Sequence, residues 1–226
     1  MLSTLGKRVA ARLPHEWQQA LKRRHFQRQI AGNSFLTDEP EWELSSKWLS
    51  PGDWAIDIGA NIGHYTKRFS DLVGARGRVI AFEPVPATFE LLAANAAQFA
   101  WPNVTLLNMA ASDACSVVGM DIPDFSTGLK NYYGAAITGG VAELQVMTCA
   151  IDSLNLTGPV RVLKIDAEGH DAVVVRGARG LIAAKLPTVV MESGSGEVKE
   201  FLESLGYRLE SVAASSNVIY RPPAKG

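Results

Sequence analysis

Only two cysteines occur in the 226 residues, Cys115 and Cys149, and neither sits in a CxxC pair or a His-rich neighbourhood. Neither a zinc site nor a disulfide framework is suggested, and a reducing interior fits best. Long apolar runs are missing too: none approaches the roughly 18 residues of a spanning helix, and the opening MLSTLGKRVAARL has no unbroken apolar core. A soluble, cytoplasmic chain is therefore expected. An overall charge bias is also absent, with 22 Lys and Arg against 23 Asp and Glu. Nothing global draws such a chain to nucleic acid or an anionic membrane.

What charge there is lies unevenly. Up to Arg28 there are Lys7, Arg8, Arg12, Lys22, Arg23, Arg24 and Arg28 against the single acid Glu16. Residues 1–34 read as a basic extension carrying an amphipathic helix after Pro14, placed to stay solvated or to dock a partner, a carrier domain or a membrane surface. Residues 35–226 read as one domain with a full core.

Within that domain β-type runs alternate with helical patterns. WAIDI, GRVIAFE and NVTLLNMA read as strands; HYTKRFSDLV reads as a helix closed by Gly74, and VPATFELLAANAAQFA as a helix with Pro86 near its first turn. The rhythm breaks over 115–150, where SVVGMDI and AELQVMTCA flank a loop rich in glycine and aromatics, a candidate substrate-side lid or a variable hairpin tip. It resumes with VRVLKID, a helix over HDAVVVRGARGLI, the strand PTVVMES, the helix GEVKEFLESLG, and a closing pair from YRLESVA and NVIYRP. The pattern predicts an α/β, Rossmann-like, seven-stranded and mostly parallel sheet with an antiparallel last pair and helices on both faces.

Such a sheet binds ligand outside the carboxyl ends of its strands. DIGANIG falls at the end of the first strand, where Gly59 and Gly63 allow a sharp turn and close approach of backbone to ligand. A dinucleotide fingerprint fails twice, because Asn61 and His64 stand where its second and third glycines belong. Asp57 suits an ammonium rather than a phosphate, although it is also a possible cap of the turn. Glu83, 24 residues after Gly59, stands where an acid accepts from ribose hydroxyls. A ligand with a ribose, a positive amino-acid part and no phosphate is S-adenosylmethionine.

DIGANIGHYT, AFEPVPATFELLAANA, NMAASD and LKIDAEGHD, with TDEPEWE, CAIDSL and VVMES around them, resemble the FkbM-type class I methyltransferases over about residues 35–195. The resemblance implies a Rossmann-like fold, S-adenosylmethionine as donor and O-methylation of a sugar, glycan precursor or secondary metabolite. It places the donor on Asp57, Gly59, Ala60, Asn61, Gly63, Tyr65 and Thr66, and the ribose on Glu83 with Pro84. Around the adenine it places Ala110 by backbone and Asn108 or Asp113 by side chain; Asp113 is equally suited to capping its own turn.

Methyl transfer to an alcohol requires alignment and removal of the hydroxyl proton. The candidates for the base are Asp166, Glu168, His170 and Glu192. Asp166 also suits the donor's ammonium, His170 also suits the surface of a first helical turn, Glu168 may orient its turn, and Glu192 may hold acceptor hydroxyls. Lys164, inside a strand, calls for a carboxylate partner. No metal is expected. The stretch DAEG lacks the prolines and aromatic ring of nucleobase amine methylases, so oxygen is the expected acceptor atom and no nucleic-acid partner is expected. Phe125, Tyr132 and Tyr133 are candidates to stack on the acceptor, and Trp42 is the tryptophan nearest the expected site. The resemblance puts Glu39 and Glu41 near the mouth of the site, where they could meet a polar substrate, but the favoured reading is exposed acids of a first helical turn. Esterification of a carboxylate, a non-catalytic donor-binding module and an NAD(P)-dependent oxidoreductase are the competing readings.

Overall fold

The structure is a computed structural model and describes residues 13–126, 130–138, 142, 144–192, 195–213 and 215–224. Parts of the aromatic loop and the first twelve residues, with Lys7, Arg8 and Arg12, lie outside these.

Five short strands carry the parallel part of the main sheet: β1 (Trp54–Ile58), β2 (Arg78–Phe82), β3 (Val104–Leu107), β8 (Val160–Ile165) and β9 (Thr188–Glu192). Two more, β10 (Arg208–Ser211) and β11 (Asn217–Arg221), pair antiparallel at its edge, and the order is β10-β11-β9-β8-β1-β2-β3. Strand order reverses beside β1, so the crevice opens where β1 and β8 end. Alternation along β1 sends Ile56 and Ile58 into the larger core and Ala55 into a second cluster with Tyr65, Phe69 and Val73 of the helix α3 (His64–Val73). The helix α4 (Pro86–Ala96) begins, as expected, with proline in its first turn.

Between β3 and β8 the chain forms more than the expected hairpin. β5 (Ser116–Asp121) and β7 (Leu144–Ala150) do pair antiparallel, but β4 (Ala110–Ser112) and β6 (Ala136–Thr138) extend them into a four-stranded sheet of order β4-β7-β5-β6. Its inner face holds Met120 and Val146 against Val85 and Ala110.

Two further expectations are corrected. The helix expected over 170–182 is two, α5 (Asp171–Arg176) and α6 (Arg179–Lys185), separated at Gly177 and Ala178. There the backbone runs so close to the Ser112 carbonyl that a Cβ on Gly177 would collide with it. The basic N-terminal helix α1 (His15–Ala31) is no appendage. Ile30 shares a core cluster with Phe35, Ile62, Leu91 and Phe99, and Gln19 Nε2 donates to the Ala87 carbonyl at 3.2 Å. Among the described residues no helix is long and apolar enough to cross a membrane.

Candidate active site

A cleft with about 1000 Å3 of empty space, counted to its open mouth, lies at the carboxyl ends of β1, β2 and β8. Asp57, Gly59, Ala60, Asn61, Tyr65, Glu83, Pro84, Ala110, Lys164, Asp166, Glu168 and His170 all line it. The loop after β1 turns with Gly59 and Asn61 in left-handed backbone, and a Cβ on Gly59 would strike the Asp166 carbonyl. Glycine is required there to bring the ends of β1 and β8 together. Gly63, also left-handed, caps the start of α3 behind the loop and does not line the cleft.

Asp57 is fully buried and faces Lys164 across the β1–β8 register. Thr66 Oγ1 donates to its Oδ2 at 2.6 Å, whereas Oδ1 has no partner among the described residues. Burial pushes its carboxyl up, against the pull of Lys164 and the Thr66 hydroxyl. Thr66 is bonded behind Asp57 and does not itself line the cleft. Lys164, only 4% exposed, bonds Asp166 Oδ2 at 3.1 Å and lies 4.8 Å from the centre of the Tyr65 ring. Burial pulls its ammonium down, but Asp166, Asp57 and Glu39 together outweigh that and hold it above its ordinary value. The paired role expected for this lysine is met.

Glu83 is held by two backbone donors, Asn61 N–H to Oε2 and Val85 N–H to Oε1, each at 2.9 Å. Burial nevertheless pushes it up to about 7. A carboxylate has about four lone-pair directions, so both oxygens can still accept from a ligand. Asn108 Nδ2 is spent on the carbonyls of Glu83 and Pro84 at 2.9 and 3.1 Å, and steadies that turn from outside the cleft. Asp113 points away, 3.3 Å from Arg176 Nε, because Arg176 on α5 competes for it. Glu192 ends β9 in solvent and does not line the cleft. Asn108, Asp113 and Glu192 are thus not among the groups the structure brings to the site.

On the acceptor side Glu168 is left-handed at φ 47°, and burial together with Asp166, Glu192 and Asp171 pushes its carboxyl up. His170 is half-buried rather than directed to solvent: Nε2 lies 3.1 Å from Ser112 Oγ, and burial lowers its pKa against the pull of Asp113. Tyr132 and Tyr133 line the cleft and Phe125 does not. Glu39 also lines it and accepts from the Tyr65 hydroxyl at 2.8 Å. Glu41, expected to be exposed, is fully buried and accepts from Ser215 at 2.9 Å and from Asn217. Trp42 is packed, with the Arg68 guanidinium 4.3 Å from its ring centre.

Several lining residues had no sequence signal of their own. His64 figures in the motif only as a misplaced glycine, yet it lines the cleft, its ring 4.2 Å from that of Phe35 and its pKa lowered by burial. Met120 and Ile137 arrive from the second sheet.

The residues fit the expected donor. A buried carboxylate oxygen without a partner at Asp57 suits an ammonium, and Glu83, with lone pairs to spare, suits two vicinal hydroxyls.

A family model described as the methyltransferase FkbM domain matches residues 57–209. No curated protein matches the chain in sequence. Among solved structures, the FkbM methyltransferase of Methylobacillus flagellatus KT is 15% identical with a TM-score of 0.54, over 76% of this chain and 44% of that one. The chain thus spans less than half the length of that protein. A candidate rRNA-methylase of Clostridium thermocellum is 13% identical with a TM-score of 0.52, over 82% and 95%. Aeropyrum pernix fibrillarin, solved with natively bound S-adenosyl-L-methionine, is 16% identical with a TM-score of 0.47, over 79% and 73%.

Proposed function

The chain belongs to the FkbM methyltransferase family and uses S-adenosylmethionine, and on that premise we propose that it methylates a neutral hydroxyl of a sugar, glycan precursor or secondary metabolite. The observation that carries this reading is the charge of the cleft. Among the described residues five carboxyl groups line it, Glu39, Asp57, Glu83, Asp166 and Glu168, against the single ammonium of Lys164. Such a wall repels an anionic acceptor, which weighs against esterification of a carboxylate. Lys130, the cation nearest the aromatic segment in sequence, is paired with Asp124 at 3.3 Å and is not part of the lining.

Bound S-adenosylmethionine supplies a methyl group on a sulfonium, already activated for in-line displacement. The residues of the chain supply placement and proton removal. Asp57 takes the ammonium with its unpartnered oxygen, Glu83 takes the ribose hydroxyls, and the glycine loop lets backbone approach both. Lys164 fixes Asp166 by one carboxylate oxygen, leaving the other to accept the proton of the acceptor hydroxyl. Glu168 and Glu39 accept from the remaining hydroxyls of a polyol, and Tyr132 and Tyr133 give it an apolar face.

The test is transfer of labelled methyl from the donor to panels of neutral polyols, carboxylic acids and amines. Alkali-stable label on a polyol is expected, with turnover lost in Asp166→Asn. Alkali-labile label on an acid would overturn the reading.

A further inference from the structure

At the other end of the sheet lies a second cavity, with about 1410 Å3 of empty space to its open mouth. Lys47, Arg161, Lys185 and Arg221 line it, and no Asp or Glu does among the described residues. In a chain of net charge −1 this is a local excess of four cations. Their neighbours neutralise them poorly. Asp53 reaches Arg161 through Nε at 3.6 Å and Glu210 reaches Arg221 through Nε at 3.8 Å, both long for ion pairs. Among the described residues Lys185 bonds only the Thr157 carbonyl, at 3.1 Å, and Lys47 has no ion pair. Like charges gathered in one concavity repel each other and concentrate a positive field there. An anion in the cavity relieves both, and two guanidinium groups whose ion pairs among the described residues run through Nε can turn their outer nitrogens to phosphate oxygens in forked geometry.

Apart from Thr157 and Thr188, the remaining lining is apolar. Trp48 lines the cavity with Leu186 and Pro222, and the Arg221 guanidinium lies 6.0 Å from its ring centre. An aromatic face beside cations suits a planar ring attached to phosphate. We propose that this cavity is a second binding site, separate from the cleft, that takes a nucleoside diphosphate with its phosphates on Arg161, Arg221 and the two lysines and its base on Trp48. Arg161 is the second residue of the strand that ends at the cleft, five residues before Asp166, so roughly 16 Å separate the two sites.

The whole chain is titrated calorimetrically with UDP and, separately, with inorganic pyrophosphate, at fixed ionic strength and with S-adenosylhomocysteine saturating the cleft. A uracil nucleotide is used so that the adenine region of the cleft is not probed. UDP should bind more tightly than pyrophosphate. Its affinity should fall at least about tenfold in Arg161→Gln/Arg221→Gln, and by a smaller factor in the exposed, unpaired Lys47→Gln. Affinity for S-adenosylhomocysteine, measured in the same variants, should not change, which separates this test from that of the methyltransferase reading. Absence of UDP binding, or binding that survives both variants, would overturn the site. Equal affinity for UDP and pyrophosphate would overturn the place given to Trp48.

Discussion

Donor binding should switch on with rising pH through Glu83. In the free protein this carboxyl is 5% exposed and titrates at about 7, because burial penalises its charge more than two backbone N–H groups reward it. Ribose hydroxyls donate, so they favour the carboxylate over the acid. In the limit where only the ionised form binds, the apparent Kd is multiplied by 1 + 10^(7 − pH). That makes it about elevenfold weaker than intrinsic at pH 6, about twofold weaker at pH 7 and nearly intrinsic at pH 8. The change between pH 6 and 8 is about tenfold, or ~1.4 kcal/mol. Binding at pH 7 should also release about half a proton. Asp57, likewise raised by burial, works in the same direction.

Calorimetry with S-adenosylhomocysteine at pH 6, 7 and 8, in two buffers of different ionisation enthalpy, reads both quantities. The free protein supplies an independent sign. A carboxyl raised from 4.5 to about 7 on folding contributes stability that is complete below 4.5 and is lost as pH rises through 7. The difference is about 3 kcal/mol, so the unliganded protein should lose thermal stability over that window and regain it on adding donor. Affinity that is flat from pH 6 to 8, with heats independent of buffer, would refute the argument. So would an unchanged pH profile in Glu83→Gln.

Other perturbations read other parts of the site. Lys164→Met leaves the buried Asp57 without its cation and should cost about 3 kcal/mol at pH 8. The deficit in melting temperature should shrink as pH falls, because burial raises the Asp57 carboxyl and a protonated Asp57 needs no cation; a pH-independent deficit would point to packing instead. Asp57→Asn should keep the Thr66 hydrogen bond but weaken donor binding about tenfold or more, read by calorimetry. Asp113→Ala should leave donor affinity within about twofold, because its carboxylate belongs to Arg176, and a large loss would return it to the adenine region. Glu41→Ala strands Ser215 and Asn217 and should destabilise the fold by about 2 kcal/mol in denaturant unfolding, without altering turnover at permissive temperature.

How far all this could be read from sequence depends on whether a residue's partner is local. The β1 strand, its left-handed loop and Glu83 were legible because strand, turn and spacing lie within 30 residues and each leaves its own mark: apolar alternation, glycine, an isolated acid. The break at Gly177 was not, because a glycine within HDAVVVRGARGLI is a weak signal that a helix can absorb; what fixes the break is the passage of the backbone against the Ser112 carbonyl, 65 residues earlier. Glu41 reads as an exposed helix-start acid until Ser215, just before β11, and Asn217, its first residue, are brought to it.

Lys164 lies between these cases. Its need for a carboxylate follows from the cost of burying an ammonium, which any reader of VLKID can apply. Asp166, two residues on, is the visible partner. Asp57 is hidden, because it becomes a neighbour only through strand order: β8 returns beside β1 in parallel, in the register that pairs Asp57 with Lys164. That register is what couples Asp57, proposed for the donor's ammonium, and Asp166, proposed for the acceptor hydroxyl, through one buried cation. A substitution at Lys164 should therefore weaken donor binding and slow proton removal together, although the two carboxylates lie more than a hundred residues apart in sequence.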